Sequence, residues 1–180
     1  MTFDQIHDHL WAVRWDGEDD NEVNRLFEQW HDVSYLRGFF KKNSEVIYGY
    51  FRTNIKSAIE DTIEDAEYLE TQLLDSVSDE SLDALFAPLG PADSKVFCLQ
   101  RNKARNETRT DHHSWLRIYA LKLDGGHYLI TGGTIKMAKK MQDNPETDRE
   151  LHKLNECRNY LKSLGIKDIE SLNDYLIEEN

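Results

Sequence analysis

Residues 95–140 constrain the fold most, because three runs of strand length follow one another there and glycines join the last two. The first run, residues 95–105, leads from Val96, Phe97 and Cys98 into Arg101, Lys103 and Arg105. The second, residues 115–123, contains Trp115, Arg117, Tyr119 and Leu121 at odd positions and Leu116, Ile118 and Ala120 at even ones. The third, residues 127–137, is rich in Ile, Thr and Leu and follows Asp124, Gly125 and Gly126. Short runs of β-branched and aromatic residues around such a turn predict a three-stranded antiparallel sheet.

Side chains alternate across a strand, so parity assigns faces. A two-residue turn, whether Asp124-Gly125 or Gly125-Gly126, pairs odd positions of the second strand with even positions of the third. The face of Trp115, Arg117 and Tyr119 then also holds Gly132, Thr134 and Lys136. If the row of Arg101, Lys103 and Arg105 joins it, the sheet has one apolar side, through Leu116, Ile118 and Ile135. The other side carries Arg, Lys and aromatic groups around a sterically open Gly132, the composition of a phosphate-binding surface.

Charge sharpens that reading. The 180-residue chain has a net charge of −12. Residues 95–140 hold ten Lys and Arg against three Asp and Glu, so this stretch stands at +7 and the remainder at −19. The overall balance disfavours general nucleic-acid affinity, leaving the local island to meet any such partner. No apolar run reaches membrane-spanning length and no basic-then-apolar leader opens the chain, so a soluble, cytoplasmic protein without a membrane partner is expected. Cys98 and Cys157 have neither metal nor disulfide-framework spacing and read as small core residues. His7 and His9 would share a strand face, but no third metal ligand accompanies them. No metal and no cofactor are expected.

Outside the island, residues 3–15 read as one or two short strands with Trp11, Val13 and Trp15 on one parity. Helical spacing runs from Glu22 to about Lys42 and again over residues 55–74, whose outer face is nearly all acidic. Residues 43–54 are aromatic and mixed and have no firm assignment. Residues 82–86 form a short helical turn before the stop at Pro88 and Pro91. Asn144 and Pro145 start a strong helix with a stripe of Leu151, Leu154, Cys157, Leu161 and Leu164, ended by Gly165. Asp168 caps a last helix. The expected class is α+β: a small antiparallel sheet packed on helices over residues 89–180, with a mainly helical extension over residues 1–88.

The basic strand comes first, then the Leu116-Arg117-Ile118-Tyr119 run and the glycine hairpin. An apolar strand follows that runs through Ile135 into Lys136 beside a basic cluster, and then the Pro145 helix. That order resembles the RelE/HigB superfamily of toxin–antitoxin ribonucleases over residues 93–164. The resemblance implies a RelE-like sheet and a metal-independent endoribonuclease that cleaves mRNA, often on the ribosome, and is neutralised by an antitoxin, in some cases of helix-turn-helix type. It places Arg117 at the family's strand arginine and Lys136 at the lysine after the last long strand. Arg101, Lys103 and Arg105 correspond only by neighbourhood. The chain is larger and more acidic than a typical toxin.

In that chemistry a nucleotide's own 2′-hydroxyl attacks the adjacent phosphate, which requires a base, an acid and positive charge. Arg117 is the expected phosphate clamp, with Lys103, Arg105 and Lys136 assisting and His112 or His113 as acid–base groups. Arg101, Trp115, Tyr119, Lys139 and Lys140 are the expected RNA contacts. Four other readings compete: Arg117 paired with an acid from the helices, His112 and His113 in a solvated loop, Trp115 and Tyr119 packed in the core, and the basic row docked against the acidic N-terminal half. A non-catalytic protein-interaction module on a degenerate toxin fold is the alternative function.

Overall fold

The computed structural model describes residues 1–75, 78–95, 98–108, 111–137 and 145–178. Its centre is a six-stranded mixed sheet of order β1-β2-β6-β5-β4-β3. The strands are β1 (Thr2–His7), β2 (Leu10–Arg14), β3 (Phe86–Pro88), β4 (Gln100–Ala104), β5 (Leu116–Lys122) and β6 (Tyr128–Ile135). The expected antiparallel trio is present as β4-β5-β6. Two further strands join one edge, where β2 runs parallel to β6 through Leu10↔Tyr128 and Ala12↔Ile130. Residues 1–14 therefore belong to the same sheet as residues 100–135. β3 closes the other edge against β4.

Helices follow the apolar periodicity and the polar caps. The region from Glu22 to Lys42 breaks into α1 (Glu22–His31) and α2 (Val33–Lys42) because Asp32 starts a new helix, its carboxylate accepting from Ser34 N and Tyr35 N. The unassigned segment contains α3 (Ser44–Gly49). Asn54 caps α4 (Ile55–Leu74), which matches its predicted span. α5 (Asp79–Leu85), α6 (Pro145–Ser163) and α7 (Ile169–Glu178) complete the set. Asp168 caps α7 through Ser171 N at 2.8 Å.

Helices cover both faces of the sheet, which corrects the expectation of one apolar and one open basic side. Leu116, Ile118, Ala120 and Ile130 share a core with Leu26, Trp30, Phe40, Leu69 and Leu73 from α1, α2 and α4. Tyr119, Leu121 and Leu129 share a second core with Leu154, Cys157 and Leu161 of α6 and Leu172 of α7. Burial pushes the Cys157 thiol up, in keeping with an inert core residue. Leu151 is only partly buried and Leu164 is exposed, so the α6 stripe is narrower than its sequence spacing implies.

The hairpin departs from expectation twice, and the departures cancel. Leu123 N donates to His127 O, so the connection is three residues long, with Gly125 and Gly126 both at positive φ. This pairs Leu121 with Leu129 and Lys122 with Tyr128, the opposite parity to a two-residue turn. A register shift between Tyr119 and Ala120 then adds Thr131 as an extra residue and restores the predicted pairs Tyr119↔Gly132 and Arg117↔Thr134.

Candidate functional site

The cationic residues gather where β4 and β6 end and β5 begins, beside the loop that follows β4. Arg117 is the second residue of β5, Lys103 lies in β4, and Lys136 directly follows β6, its N–H donating to Trp115 O at 2.8 Å. Arg105 follows β4 and pairs with Glu107 at 2.8 Å on the surface. Asn106 anchors this loop to α4 by donating from Nδ2 to the buried Asp65 carboxylate at 2.8 Å, while its own Oδ1 accepts from Thr108 N and Oγ1.

Arg117 donates to the carbonyls of Ser114 (2.9 Å) and Leu116 (2.6 Å). Among the described residues it has no carboxylate partner within ion-pair distance, nor do Lys103 and Lys136. The expectation that Arg117 pairs with an acid from the helices therefore fails for those residues. Burial, followed by the charge of Arg105, pushes the Arg117 guanidinium down to about 10. Burial and then Arg117 and Arg105 lower the Lys103 ammonium. Burial and then Arg117, Lys103 and Arg105 lower that of Lys136. The two arginines thus disfavour the charge on both lysines, a cost that a bound anion would reverse.

A cleft of about 510 Å³ opens on three of these cations, whereas Lys103 lines a neighbouring pocket that also includes Arg105. Arg105, Arg117 and Lys136 form part of its lining, with His112, His113 and Trp115, and the α3 end of the chain contributes Tyr50 and Phe51. His113 is exposed, its ring 4.7 Å from that of Phe51. His112 is nearly buried, with Nδ1 3.2 Å from His113 O and Nε2 3.8 Å from Asp65 Oδ1. The expectation of two solvated loop histidines therefore holds for His113 alone.

Other expected contacts lie elsewhere. Arg101 is held by Asp93 through two bonds of 2.9 Å and by Asn155 on α6 at 3.0 Å, leaving its fork engaged within the fold. Tyr119 is 1% exposed beneath α6, and burial raises its hydroxyl to about 12. Trp115 precedes β5, escapes the strand alternation and packs with Phe40 and Phe51 in the core opposite Tyr119. Neither ring offers an open stacking face. Gly132 is not open either: the Glu150 and Lys153 side chains of α6 lie over it. Lys139 and Lys140 lie outside the described residues.

Three contributing residues escaped sequence reasoning. Tyr50 and Phe51 come from the segment without an assignment, although the density of aromatics among Tyr48, Tyr50 and Phe51 was a usable signal. Asp65 looked like one more acid on the solvated face of α4, yet it is 1% exposed and holds the site loop. No metal-binding group of three or more His, Cys, Asp or Glu occurs among the described residues. No described helix is long and apolar enough to cross a membrane.

The site is a cleft whose lining brings Arg105, Arg117 and Lys136 together with the rings of Tyr50, Phe51 and His113. No protein-family model, curated protein or solved structure matches this chain.

Proposed function

We propose that this protein binds RNA at Lys103, Arg105, Arg117 and Lys136 and cleaves it as a RelE/HigB-like endoribonuclease. The observation that carries the reading is the meeting of four cations, three of them without a carboxylate partner among the described residues, in a chain of net −12. Mutual repulsion in a half-buried cleft favours an anion that can span several cations, as an RNA phosphodiester does. The resemblance over residues 93–164 supplies the reaction class.

In this reading Arg117 clamps the non-bridging phosphate oxygens and Lys136 and Arg105 oppose the charge that develops on them. The 2′-oxygen forms a bond to phosphorus while the bond from phosphorus to the 5′-oxygen breaks. The 2′-hydroxyl proton passes to a base and the leaving oxygen takes a proton from an acid. A lysine of lowered proton affinity, Lys103 or Lys136, suits the first role, and the exposed His113 imidazole suits the second. The products are a 2′,3′-cyclic phosphate and a 5′-hydroxyl. A cognate antitoxin would then be expected to cover the cleft, and the ribosome to present the substrate.

The test is expression of the wild-type chain alone, followed by mapping of cellular RNA ends, with purified protein incubated with RNA, with and without ribosomes. Growth arrest and cyclic-phosphate ends are expected, undiminished by EDTA in the purified reaction. Arg117→Ala should slow cleavage about a hundredfold or more, the scale of a single preorganised transition-state donor. A harmless wild type that leaves RNA uncut under all these conditions would overturn the nuclease reading in favour of the non-catalytic interaction module.

A further inference from the structure

The aromatic side of the cleft has no role in holding a phosphate, and its Tyr50 and Phe51 come from outside the stretch that resembles the toxins. Tyr50 and Phe51 follow α3, their ring centroids 4.9 Å apart at 84°. Phe51 meets His113 at 4.7 Å and Trp115 at 5.4 Å, and Trp115 in turn meets Phe40 at 5.4 Å. The rings form a continuous series from the fully buried Phe40 to Tyr50, which is 52% exposed.

The backbone fixes this wall. Arg52 has φ 53°, a left-handed conformation that disfavours residues with a Cβ. It turns the chain out of α3, with Phe51 N bonded to Val46 O at 3.0 Å and Thr53 N to Ile47 O at 3.2 Å. Strain at a non-glycine residue persists where surrounding structure enforces it, and such positions cluster at ligand sites. The result holds Phe51 half-buried against the core while its ring joins Arg117 and Lys136 in lining the cleft.

We infer that Tyr50, Phe51 and His113 form a stacking subsite for one nucleobase of a single-stranded RNA whose adjacent phosphate rests on Arg105, Arg117 and Lys136. The inference deepens the RNA reading above and rests on it. A cleft of about 510 Å³ falls in the size range of small-molecule sites, ample for one nucleotide. Every base has a π-face, so a wall of this kind binds single strands with little regard to sequence, whereas a duplex keeps its bases stacked away from it. An acidic peptide would satisfy the cations and leave the rings uncovered.

The full-length chain can be titrated with a 2′-O-methyl trinucleotide carrying a central 2-aminopurine, which cannot be cleaved by 2′-hydroxyl attack and reports stacking by fluorescence quenching. A matched trinucleotide with an abasic centre and a poly-glutamate peptide serve as competitors. Wild type should quench the probe and prefer it to the abasic strand. Tyr50→Ala, at an exposed ring, should weaken probe binding about five- to a hundredfold, the effect of one base–aromatic stack. The same variant should bind the abasic strand within about twofold of wild type, and Tyr50→Phe should restore probe affinity. Arg117→Ala should weaken both strands. Equal probe affinity for wild type, Tyr50→Ala and Phe51→Leu, with the Arg117 dependence retained, would overturn the base subsite and leave the phosphate site standing. Failure of either strand to bind wild type would overturn both. Displacement of the probe by poly-glutamate at matched charge, as efficiently as by unlabelled trinucleotide, would overturn the ligand class.

Discussion

The Glu150 carboxylate of α6 lies against the Cα of Gly132, in the space that a Cβ on that residue would fill. Behind it, Lys153 joins Glu150 at 3.4 Å to Glu22 at 2.9 Å, and Glu22 in turn pairs with Arg25. On the opposite face Gly133 meets Leu26 of α1, where a Cβ would come within 2.8 Å of Leu26 Cδ1 and 2.7 Å of Arg117 O. Two consecutive glycines thus let a helix approach each face of one strand at the same level.

Alanine at either position should therefore destabilise the protein by about 1–3 kcal/mol, the range for overpacked sites. Gly133→Ala should be the worse of the two, since it meets backbone, whereas Gly132→Ala meets the end of a side chain. Urea melts will check the order. A loss below about 0.5 kcal/mol for both would show that the helices can back away freely.

The α6 stripe predicts an unequal response to truncation. Leu154 is fully buried, so Leu154→Ala should cost about 2–5 kcal/mol. Leu164 is exposed, so Leu164→Ala should stay within about 0.5 kcal/mol of wild type. Comparable losses for the two would mean that α6 sits differently on the sheet.

Asn106→Ala removes one donor from the buried Asp65 carboxylate and should cost about 1–3 kcal/mol. It should also lower RNA affinity, because the same loop carries Arg105. A thermal melt matching wild type would show that the bond does not hold the loop.

If the cation cluster holds RNA as proposed, stability and RNA affinity should move in opposite directions with pH. Lys103 and Lys136 have lowered proton affinity in the folded protein, by burial first and neighbouring cations second. Between their lowered values and the ordinary lysine value of 10.5, the unfolded chain binds more protons than the folded one. Their contribution to stability therefore rises with pH through that window. Their charge is lost over the same window, so phosphate affinity falls. Chemical melts and oligonucleotide titrations across alkaline pH should show the two trends, with the affinity trend reduced in Lys136→Met. An affinity independent of pH up to 10.5 would remove the lysines from the site.

Where local pattern dominates, sequence reading found the elements: α4 and the β4-β5-β6 ladder rest on periodicity and turn chemistry that a few neighbouring residues express. The parity of Arg117 with Thr134 came out right through two opposite errors, a three-residue turn and a bulge, neither of which alternation can reveal. Trp115 shared odd parity with Arg117 but stands just before β5, where alternation has no force. Tyr119 and Gly132 looked open because nothing local announces that α6 will lie across them. The four cations were legible as composition; the aromatic wall and Asp65 were not, since each depends on a segment distant in sequence meeting the loop after β4.

The pairing of β2 with β6 has a consequence for how the chain reaches this structure. Trp15 Nε1 donates to Thr131 O across 116 residues, and the parallel ladder beside it spans a similar interval. During synthesis the N-terminal hairpin emerges long before its partner strand, with one edge unpaired until β6 follows. Loop-closure entropy on that scale makes such a topology slow to form and exposes a strand edge to other chains meanwhile. A growing polypeptide of this sequence thus carries an open β2 edge until β6 is made, and truncation before β6 should turn a folding protein into an aggregating one.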